Sequence, residues 1–133
     1  MPRIRLLPAS VMIAAALLFS AVRAEYLHTE DFDARAFAAA QSSGRGVLVA
    51  IGTAWCPVCS RQGALLTRLS NETIYQDLLL LHVDYDSQPA VARAFHANEQ
   101  GTLIGFHGAQ EIGRLVGVTN ETTIRAFLNK IKD

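Results

Sequence analysis

The sequence is poor in cysteine, in tryptophan and in net charge, and each shortage narrows the functions it can have. Two cysteines and one tryptophan occur among 133 residues, and the formal net charge is zero. With so little charge of one sign, nothing favours nucleic acid or an anionic membrane surface as a partner. A structural zinc site needs four ligands, and two cysteines with four scattered histidines do not supply that pattern. We therefore expect no metal and no other cofactor.

The N-terminal segment has the order of a secretory signal peptide. Two arginines precede an apolar run from Leu6 to Phe19, and small residues then lead to a cleavage-type site at Ala24. A membrane-spanning helix needs about 20 apolar residues, and this run is shorter. An uncleaved membrane anchor stays an alternative. We predict a signal peptide at residues 1–24, removed on export to the periplasm. The mature part, residues 25–133, is then one small domain with a net charge of about −3.

The apolar pattern of the mature part predicts an α-β-α-β-α-β-β-α order. Helices are predicted at residues 31–42, 56–69, 87–98 and from Thr119 or Asn120 onwards, and strands at residues 47–51, 78–84, 102–106 and 112–116. Thr29 and Asp31 are N-cap candidates for the first helix, and Asp84 and Asp86 for the third. The first two strands have no polar face, so helices must cover both sides of the sheet. The fold class is α/β, with a central mixed sheet flanked by helices on both faces.

Both cysteines lie in the short stretch Ala54-Trp55-Cys56-Pro57-Val58-Cys59. Covalent haem attachment would need histidine directly after the second cysteine, and serine stands there. A passive staple stabilises little, because the entropic gain from a cross-link grows with the length of the loop it closes. The pair is therefore better explained as a redox pair that opens and closes.

The predicted position of the pair at a helix start suits this chemistry. Unpaired N–H groups and the positive end of the helix dipole favour thiolate over thiol at Cys56. Cys59 follows one turn later, within bridging reach, and we expect it to be the more sheltered sulfur. Pro57 is tolerated because its missing N–H is not needed in the first turn. Trp55 is either a core residue or an apolar lip over which a substrate peptide lies.

With the W-C-P-V-C motif between a buried strand and a helix, and a closing hairpin and helix, residues 25–133 resemble the thioredoxin family. The resemblance is greatest to exported thioredoxin-like proteins and to the thioredoxin domains of periplasmic disulfide-reducing proteins. It implies the thioredoxin fold and thiol–disulfide oxidoreductase activity, with Cys56 as nucleophile and Cys59 as resolving cysteine. It further implies a monomer that acts on exported protein disulfides and takes electrons from a membrane thiol donor.

The chain departs from the family at three positions that matter for proton transfer or substrate binding. Ala50 replaces a buried aspartate, and His82, at about the position of a facing lysine, could serve as proton acceptor instead or could simply end a strand. Gly101 replaces a cis-proline before Thr102, and a trans peptide is expected there because cis bonds before other residues cost about 2.5–4 kcal/mol. Glycine lets the backbone approach the sulfurs, and we predict a more open substrate groove.

The resemblance assigns substrate binding to four positions around the motif, namely Trp55, Pro57, Gly101 and Thr102. The alternative function is a non-enzymatic thioredoxin-fold module that keeps its cysteines bridged. Such a module would bind a peptide or a metal near the cysteine pair.

Overall fold

A mixed β-sheet lies at the centre of the computed structural model, which describes residues 30–133. Its strands are β1 (Glu30–Asp31), β2 (Gly46–Gly52), β3 (Leu79–Asp84), β4 (Thr102–His107) and β5 (Gln110–Val116). The helices are α1 (Ala34–Ser42), α2 (Pro57–Ser70), α3 (Pro89–Ala94) and α4 (Glu121–Lys132), and a 3₁₀ turn covers Thr73–Tyr75. The signal peptide predicted at residues 1–24 lies outside the described residues.

The strand order β1-β3-β2-β4-β5 places β2 in the middle of the sheet. β1 and β2 both pair in parallel with β3, whereas β4 pairs antiparallel with β2 and with β5. The hairpin β4–β5 turns at Gly108 and Ala109, as its sequence predicts. This order leaves the C-terminal end of β2, where the cysteine motif follows, between β3 and β4.

Both faces of the sheet are covered, as two apolar strands without a polar side require. One core cluster joins Leu48 to leucines of α2 and to Ile124 and Phe127 of α4. The other joins Val47 and Val49 to residues of α1 and α3 on the opposite face. The predicted fold class, a mixed sheet flanked by helices on both faces, is confirmed.

The first helix begins later than its sequence pattern indicates. Asp33 is its N-cap, and its carboxylate accepts hydrogen bonds from the backbone N–H groups of Arg35 and Ala36 at 2.8 Å. Asp31, predicted as a cap, instead lies in the short strand β1 opposite His82. The prediction missed this strand because a two-residue segment shows no periodicity, and its pairing depends on the edge that β3 offers. Thr29, the other cap candidate, lies outside the described residues.

The third helix is shorter than predicted, ending at Ala94 rather than near Asn98. The chain leaves the helix because His96 has a positive φ of 53°. Neither acidic residue before it acts as the predicted cap. Asp84 accepts from the backbone of Asp86 and Ser87 in the preceding turn, and the helix N-cap is Gln88.

The last helix confirms its predicted start. Asn120 is the N-cap, and its side-chain oxygen accepts from the N–H of Thr123 at 3.0 Å. Four apolar residues of this helix are buried on one face, namely Ile124, Phe127, Leu128 and Ile131. Among residues 30–133, no helix combines the length and the apolar character needed to cross a bilayer.

Candidate active site

The two cysteines form a disulfide at the point where β2 gives way to α2. Their Cα atoms lie 5.2 Å apart. Cys56 is the N-cap of α2 with extended backbone angles, and Pro57 is the first helical residue. The Sγ atom of Cys56 accepts a hydrogen bond from the N–H of Cys59 at 3.2 Å. A helix N-terminus leaves such N–H groups without intrahelical partners, so they favour negative charge on this sulfur.

The relative exposure of the two cysteines is the reverse of the prediction. Cys56 is buried, with 8% of its surface exposed. Cys59, expected to be the more sheltered, is half-buried and borders a cavity of about 390 Å³. Two residues of β2 that border the cavity beneath α2 are small, namely Ala50 and Gly52, and they leave space there.

Gly52 lies directly beneath Cys59. A Cβ added to Gly52 would be 2.5 Å from Sγ and 2.9 Å from Cβ of Cys59. Real Cβ atoms do not approach other atoms so closely, so the disulfide can occupy this position only over glycine. The sequence pattern predicts that the strand ends at residue 51, and it gives Gly52 no role. The signal that could have revealed its role is a glycine at the end of an apolar strand, just before the cysteine motif.

Three residues paired across neighbouring strands border the cavity, and two of them, Asp31 and His82, are polar. Asp31 of β1, His82 of β3 and Ala50 of β2 are neighbours in register. Paired residues of parallel strands direct their side chains to the same face, so these three share the face that α2 covers. All three border the cavity together with Cys59 and Asp84. The structure thus brings His82 to the same cavity as Cys59, and its role as proton acceptor stays a prediction.

The carboxyl group of Asp84 is held in its charged form. Hydrogen bonds from the backbone and hydroxyl of Ser87 lower the pKa of Asp84 below its usual range, and the nearby His82 adds a small further effect in the same direction. The cavity is therefore bordered by at least one carboxylate that stays negative at neutral pH.

Trp55 lies on the surface rather than in the core. It is 67% exposed, and its indole Nε1 donates to Oδ2 of Asp86 at 2.8 Å. Asp86 was predicted as a helix cap, and sequence reasoning missed its contact with Trp55 because the two residues come from different loops. Pro57 is also exposed, so the ring of Trp55 and the ring of Pro57 flank Cys56 on the outside.

Gly101 lies in a closed turn and not in an open groove. It is buried, has a φ of +74°, and every peptide bond in residues 30–133 is trans, as expected for this position. Its N–H donates to the carbonyl of Ile51 at 2.9 Å, and its carbonyl accepts from the N–H of Gly117 at 3.0 Å. Thr102 is 2% exposed, and its hydroxyl donates to the carbonyl of Glu99 at 2.6 Å. The predicted openness at Gly101 is therefore wrong, and the substrate-binding roles of Gly101 and Thr102 stay predictions.

Gln62 holds this turn closed. Its side chain is on α2, one turn after Cys59, and is 3% exposed. Its Nε2 donates to the carbonyl of Gly101 at 3.0 Å and to that of Val118 at 2.9 Å. Sequence reasoning missed Gln62, although a polar residue on the buried stripe of a helix beside a redox motif is a signal.

No metal centre accompanies these residues within the described part of the chain. There, no group of three or more histidine, cysteine, aspartate or glutamate side chains is placed to hold a metal ion. The chemistry that the arrangement supports is that of the two sulfurs themselves, with Cys56 stabilised as thiolate and Cys59 within bridging distance.

Comparison with known proteins agrees with this geometry. The thioredoxin family profile matches residues 24–130. The thioredoxin of Mycobacterium tuberculosis is 32% identical over 92 residues, which are 69% of this chain and 76% of that protein. The bifunctional thioredoxin reductase/thioredoxin of Mycobacterium leprae is 31% identical over 99 residues, or 74% of this chain. This chain spans only 21% of the length of that bifunctional protein.

Solved structures show the same fold. The crystal structure of Trxlp from Edwardsiella tarda is 38% identical, with a TM-score of 0.72, and the match covers 74% of this chain and 96% of that one. A thioredoxin from Nicotiana alata is 19% identical with a TM-score of 0.67, over 74% of this chain and 84% of that one. The chain belongs to the thioredoxin family, and its Cys56–Cys59 pair is the redox-active disulfide of a thiol–disulfide oxidoreductase.

Proposed function

We propose that this protein is exported to the periplasm, where it reduces the disulfides of other exported proteins through a Cys56/Cys59 cycle. The observation that carries the proposal is the position of the bridge at the start of α2, with the exposed ring of Trp55 beside it. The segment at residues 1–24, with its basic start, short apolar run and small residues at the cleavage-type site, supports export.

The cycle begins with Cys56 as a thiolate, which is favoured by the N–H of Cys59 that already donates to this sulfur in the disulfide form. This sulfur attacks one sulfur of a substrate disulfide, and the other substrate sulfur leaves as a thiolate that takes a proton from water. The product is a mixed disulfide between Cys56 and the substrate. Trp55 and Pro57, both exposed on the outside of Cys56, are the surfaces against which the substrate chain lies.

Cys59 completes the cycle. Its thiol loses a proton, attacks Sγ of Cys56, and releases the second substrate sulfur while the bridge reforms. The family's buried aspartate is replaced by Ala50, so we assign the acceptance of this proton to His82, which borders the same cavity as Cys59. Water in the cavity can carry the proton between them.

Each turn of the cycle leaves the protein oxidised, so a reductant must restore the dithiol. An oxidising compartment does not keep a nearby cysteine pair reduced by itself. We assign this role to a membrane thiol donor and propose that the protein acts as a monomer.

Reduction of insulin by dithiothreitol tests the activity. Wild-type protein should accelerate it, and Cys56→Ser should abolish the acceleration. Cys59→Ala should trap a mixed disulfide with substrates, and trapping in whole cells tests whether those substrates are exported proteins. The proposed function fails if the wild-type protein does not accelerate insulin reduction. Proposed export fails if cell fractionation finds the protein in the cytoplasm and not in the periplasm, and the proposed cleavage fails if the exported protein does not begin at residue 25.

The alternative, a binding module with a permanent bridge, predicts a different result. A bridge with a reduction potential near or below about −300 mV and no turnover would indicate a structural role. The same insulin assay and a redox titration of Trp55 fluorescence distinguish the two functions.

A further inference from the structure

The two sulfurs of the bridge meet different surroundings. Cys56 is 8% exposed and caps α2, whereas Cys59 is half-buried and borders the cavity under that helix. Cys56 is not among the residues that border the cavity. A molecule inside the cavity therefore meets the bridge from the side of Cys59.

This direction of approach matters for exchange chemistry. A thiolate attacks a disulfide along the extension of the S–S bond, on the side away from the sulfur that leaves. Sγ of Cys59 lies over Gly52, which also borders the cavity. A nucleophile in the cavity meets Cys59 and not Cys56, and its attack on Sγ of Cys59 would displace Cys56.

The sulfur displaced in this way is the better leaving group of the two. Sγ of Cys56 accepts the N–H of Cys59 and lies at the start of α2, so a thiolate formed there is stabilised at once. A leaving thiol that is more stable as thiolate leaves faster. The accessibility of Cys59 from the cavity and the stability of Cys56 as a leaving thiolate therefore both favour attack on Sγ of Cys59.

The size of the cavity limits what can use it. Its volume of about 390 Å³ lies within the range of small-molecule sites, roughly 300–1,000 Å³. Ala50, whose side chain is a single methyl group, and Gly52, which has no side chain, border this space. A low-molecular-weight thiol fits such a space, whereas a folded protein donor would reach the bridge from the exposed side near Trp55.

We propose that a low-molecular-weight thiol reduces the oxidised protein by attacking Cys59 through this cavity. The inference rests on the proposed thiol–disulfide cycle and adds a second electron donor to it. The first thiolate forms a mixed disulfide with Cys59, the S–S bond to Cys56 breaks, and Cys56 leaves as a thiolate. A second thiolate attacks the outer sulfur of the mixed disulfide and releases Cys59, so two small thiols become one small disulfide. Two electrons enter the protein, and the two protons given up by the small thiols return to the protein dithiol through water.

The charges around the cavity select among small thiols. Asp31 and Asp84 both border it, and hydrogen bonds from Ser87 keep Asp84 in its carboxylate form. Carboxylates near the path attract cations and repel anions, and His82 is the one basic residue that borders the cavity among residues 30–133. The favoured reductant is therefore a cationic aminothiol, and an anionic mercaptocarboxylate is disfavoured.

Mapping the first adduct tests the proposal on the unaltered protein. Oxidised protein is mixed with cysteamine and quenched within milliseconds with excess N-ethylmaleimide, which blocks the sulfur that has left. Trypsin then yields the peptide of residues 46–61, in which fragmentation before Pro57 separates the two cysteines. We expect cysteamine on Cys59 and maleimide on Cys56. The reverse assignment overturns the proposal while leaving the proposed cycle intact, and absence of reduction by any thiol overturns both.

Rates give an independent test of charge selection. Reduction is followed by the fluorescence of Trp55, the one tryptophan of the chain, and corrected for the thiolate fraction of each reagent. Cysteamine should react at least about tenfold faster than 3-mercaptopropionate at low salt, with 2-mercaptoethanol between them, and 0.5 M salt should reduce the difference. Asp31→Asn should shrink the preference about twofold or more, whereas Asp77→Asn should not. Equal rates for the three reagents overturn the selection by charge.

Filling the cavity tests the route. Ala50→Leu should slow reduction by cysteamine about tenfold or more, whereas the first step of insulin reduction, the attack of Cys56 on the substrate disulfide, should keep its rate because it takes place outside the cavity. Ala64→Leu, on the exposed side of α2, is the matched control and should leave both rates unchanged. An unchanged cysteamine rate in folded Ala50→Leu overturns the proposal. If that variant does not fold, the adduct map on wild-type protein decides.

Discussion

The indole Nε1 of Trp55 donates a hydrogen bond to Oδ2 of Asp86 at 2.8 Å, across the gap between the loops that follow β2 and β3. The contact holds an exposed aromatic ring beside the bridge, although nothing packs over it. It connects the cysteine motif to a residue 31 positions further along the chain. The surface proposed to contact substrate at Trp55 is therefore held by Asp86, a side chain outside the motif.

Asp86→Ala should reduce the catalytic efficiency for a protein disulfide. A hydrogen bond to a charged group contributes about 1.5 kcal/mol when the pair is as exposed as this one. If all of this energy positions the substrate, its loss lowers kcat/KM roughly tenfold. We expect a fall of about threefold to tenfold in kcat/KM for insulin reduction. Asp77→Ala is the control, because Asp77 precedes the start of β3 whereas Asp86 follows its end, and it should leave kcat/KM unchanged. Unchanged kcat/KM in Asp86→Ala would show that the contact does not position the ring for substrate.

Gly52→Ala should destabilise the oxidised protein. The new Cβ would lie 2.5 Å from Sγ of Cys59, so either the bridge or β2 must shift. Overpacking of this kind costs about 1–3 kcal/mol in the free energy of unfolding. Chemical denaturation of the oxidised form provides the measurement.

Gly63→Ala is the matched control for Gly52→Ala. Gly63 lies on α2, and a Cβ added there meets nothing within 4 Å. Because alanine forms helix better than glycine, the control should stabilise the protein by about 0.5–1 kcal/mol. Equal effects of the two substitutions would contradict the packing of the bridge over Gly52.

Gln62→Ala should loosen both loops beside the bridge. It removes two hydrogen bonds from a buried amide, to the carbonyls of Gly101 and Val118. The carbonyl of Gly101 keeps its bond from Gly117, so the loss is that of two hydrogen bonds at about 0.5–1.5 kcal/mol each in the free energy of unfolding. Hydrogen exchange at Gly117 should also accelerate relative to the centre of β4, since its N–H bonds the same carbonyl of Gly101. Gln41→Ala, at the end of α1, is the control, and exchange rates equal in both variants would show that Gln62 does not hold the turn.

Acid should weaken the contact between α2 and α4 in a defined pH range. Hydrogen bonds from Arg68 and then Arg125 lower the pKa of Glu121 from 4.5 to about 2. A carboxyl group with a lowered pKa in the folded state adds stability above its unfolded pKa, and that stability is lost as the pH falls through the folded value. We therefore expect the stability contribution of Glu121 to be complete above about pH 5 and to disappear by about pH 2.

Thermal denaturation of Glu121→Gln between pH 2 and pH 7 measures this effect. The variant should lose part of the decline seen in wild-type protein between pH 5 and pH 2, and the two should converge at the acidic end. Glu99→Gln, which changes a carboxylate outside this network, should decline like wild type. Parallel curves for wild type and Glu121→Gln would contradict the assigned ion pairs.

The sequence predicts the central part of the fold well because its signals there are local. The apolar run of Val47 to Ile51 predicts a strand buried on both faces, and Asn120 predicts the start of α4. The same kind of local signal does not predict the strand β1 or the early end of α3. The first depends on pairing with His82, and the second on the positive φ of His96, and neither leaves a periodic pattern.

At the active site, the motif identifies the bridge but not its surroundings. Residue types and spacing place Cys56 at the start of a helix and Cys59 within reach. Which sulfur is the more exposed depends on side chains of β2 that lie beneath the helix, and there the prediction is wrong. Gly52 and Gln62 were missed because their roles appear only when strand, helix and loops are packed together.

The central claim is that Cys56 is the reactive thiolate of the reduced protein because α2 begins at it. The direct measurement is the rate of alkylation of each cysteine by iodoacetamide as a function of pH, resolved by mass spectrometry of the peptide of residues 46–61. We predict that Cys56 is alkylated first and that its rate is half-maximal well below the value of about 8.5 typical of a free cysteine. Alkylation of Cys59 first, or a half-maximal rate for Cys56 at the value of a free cysteine, would contradict the account.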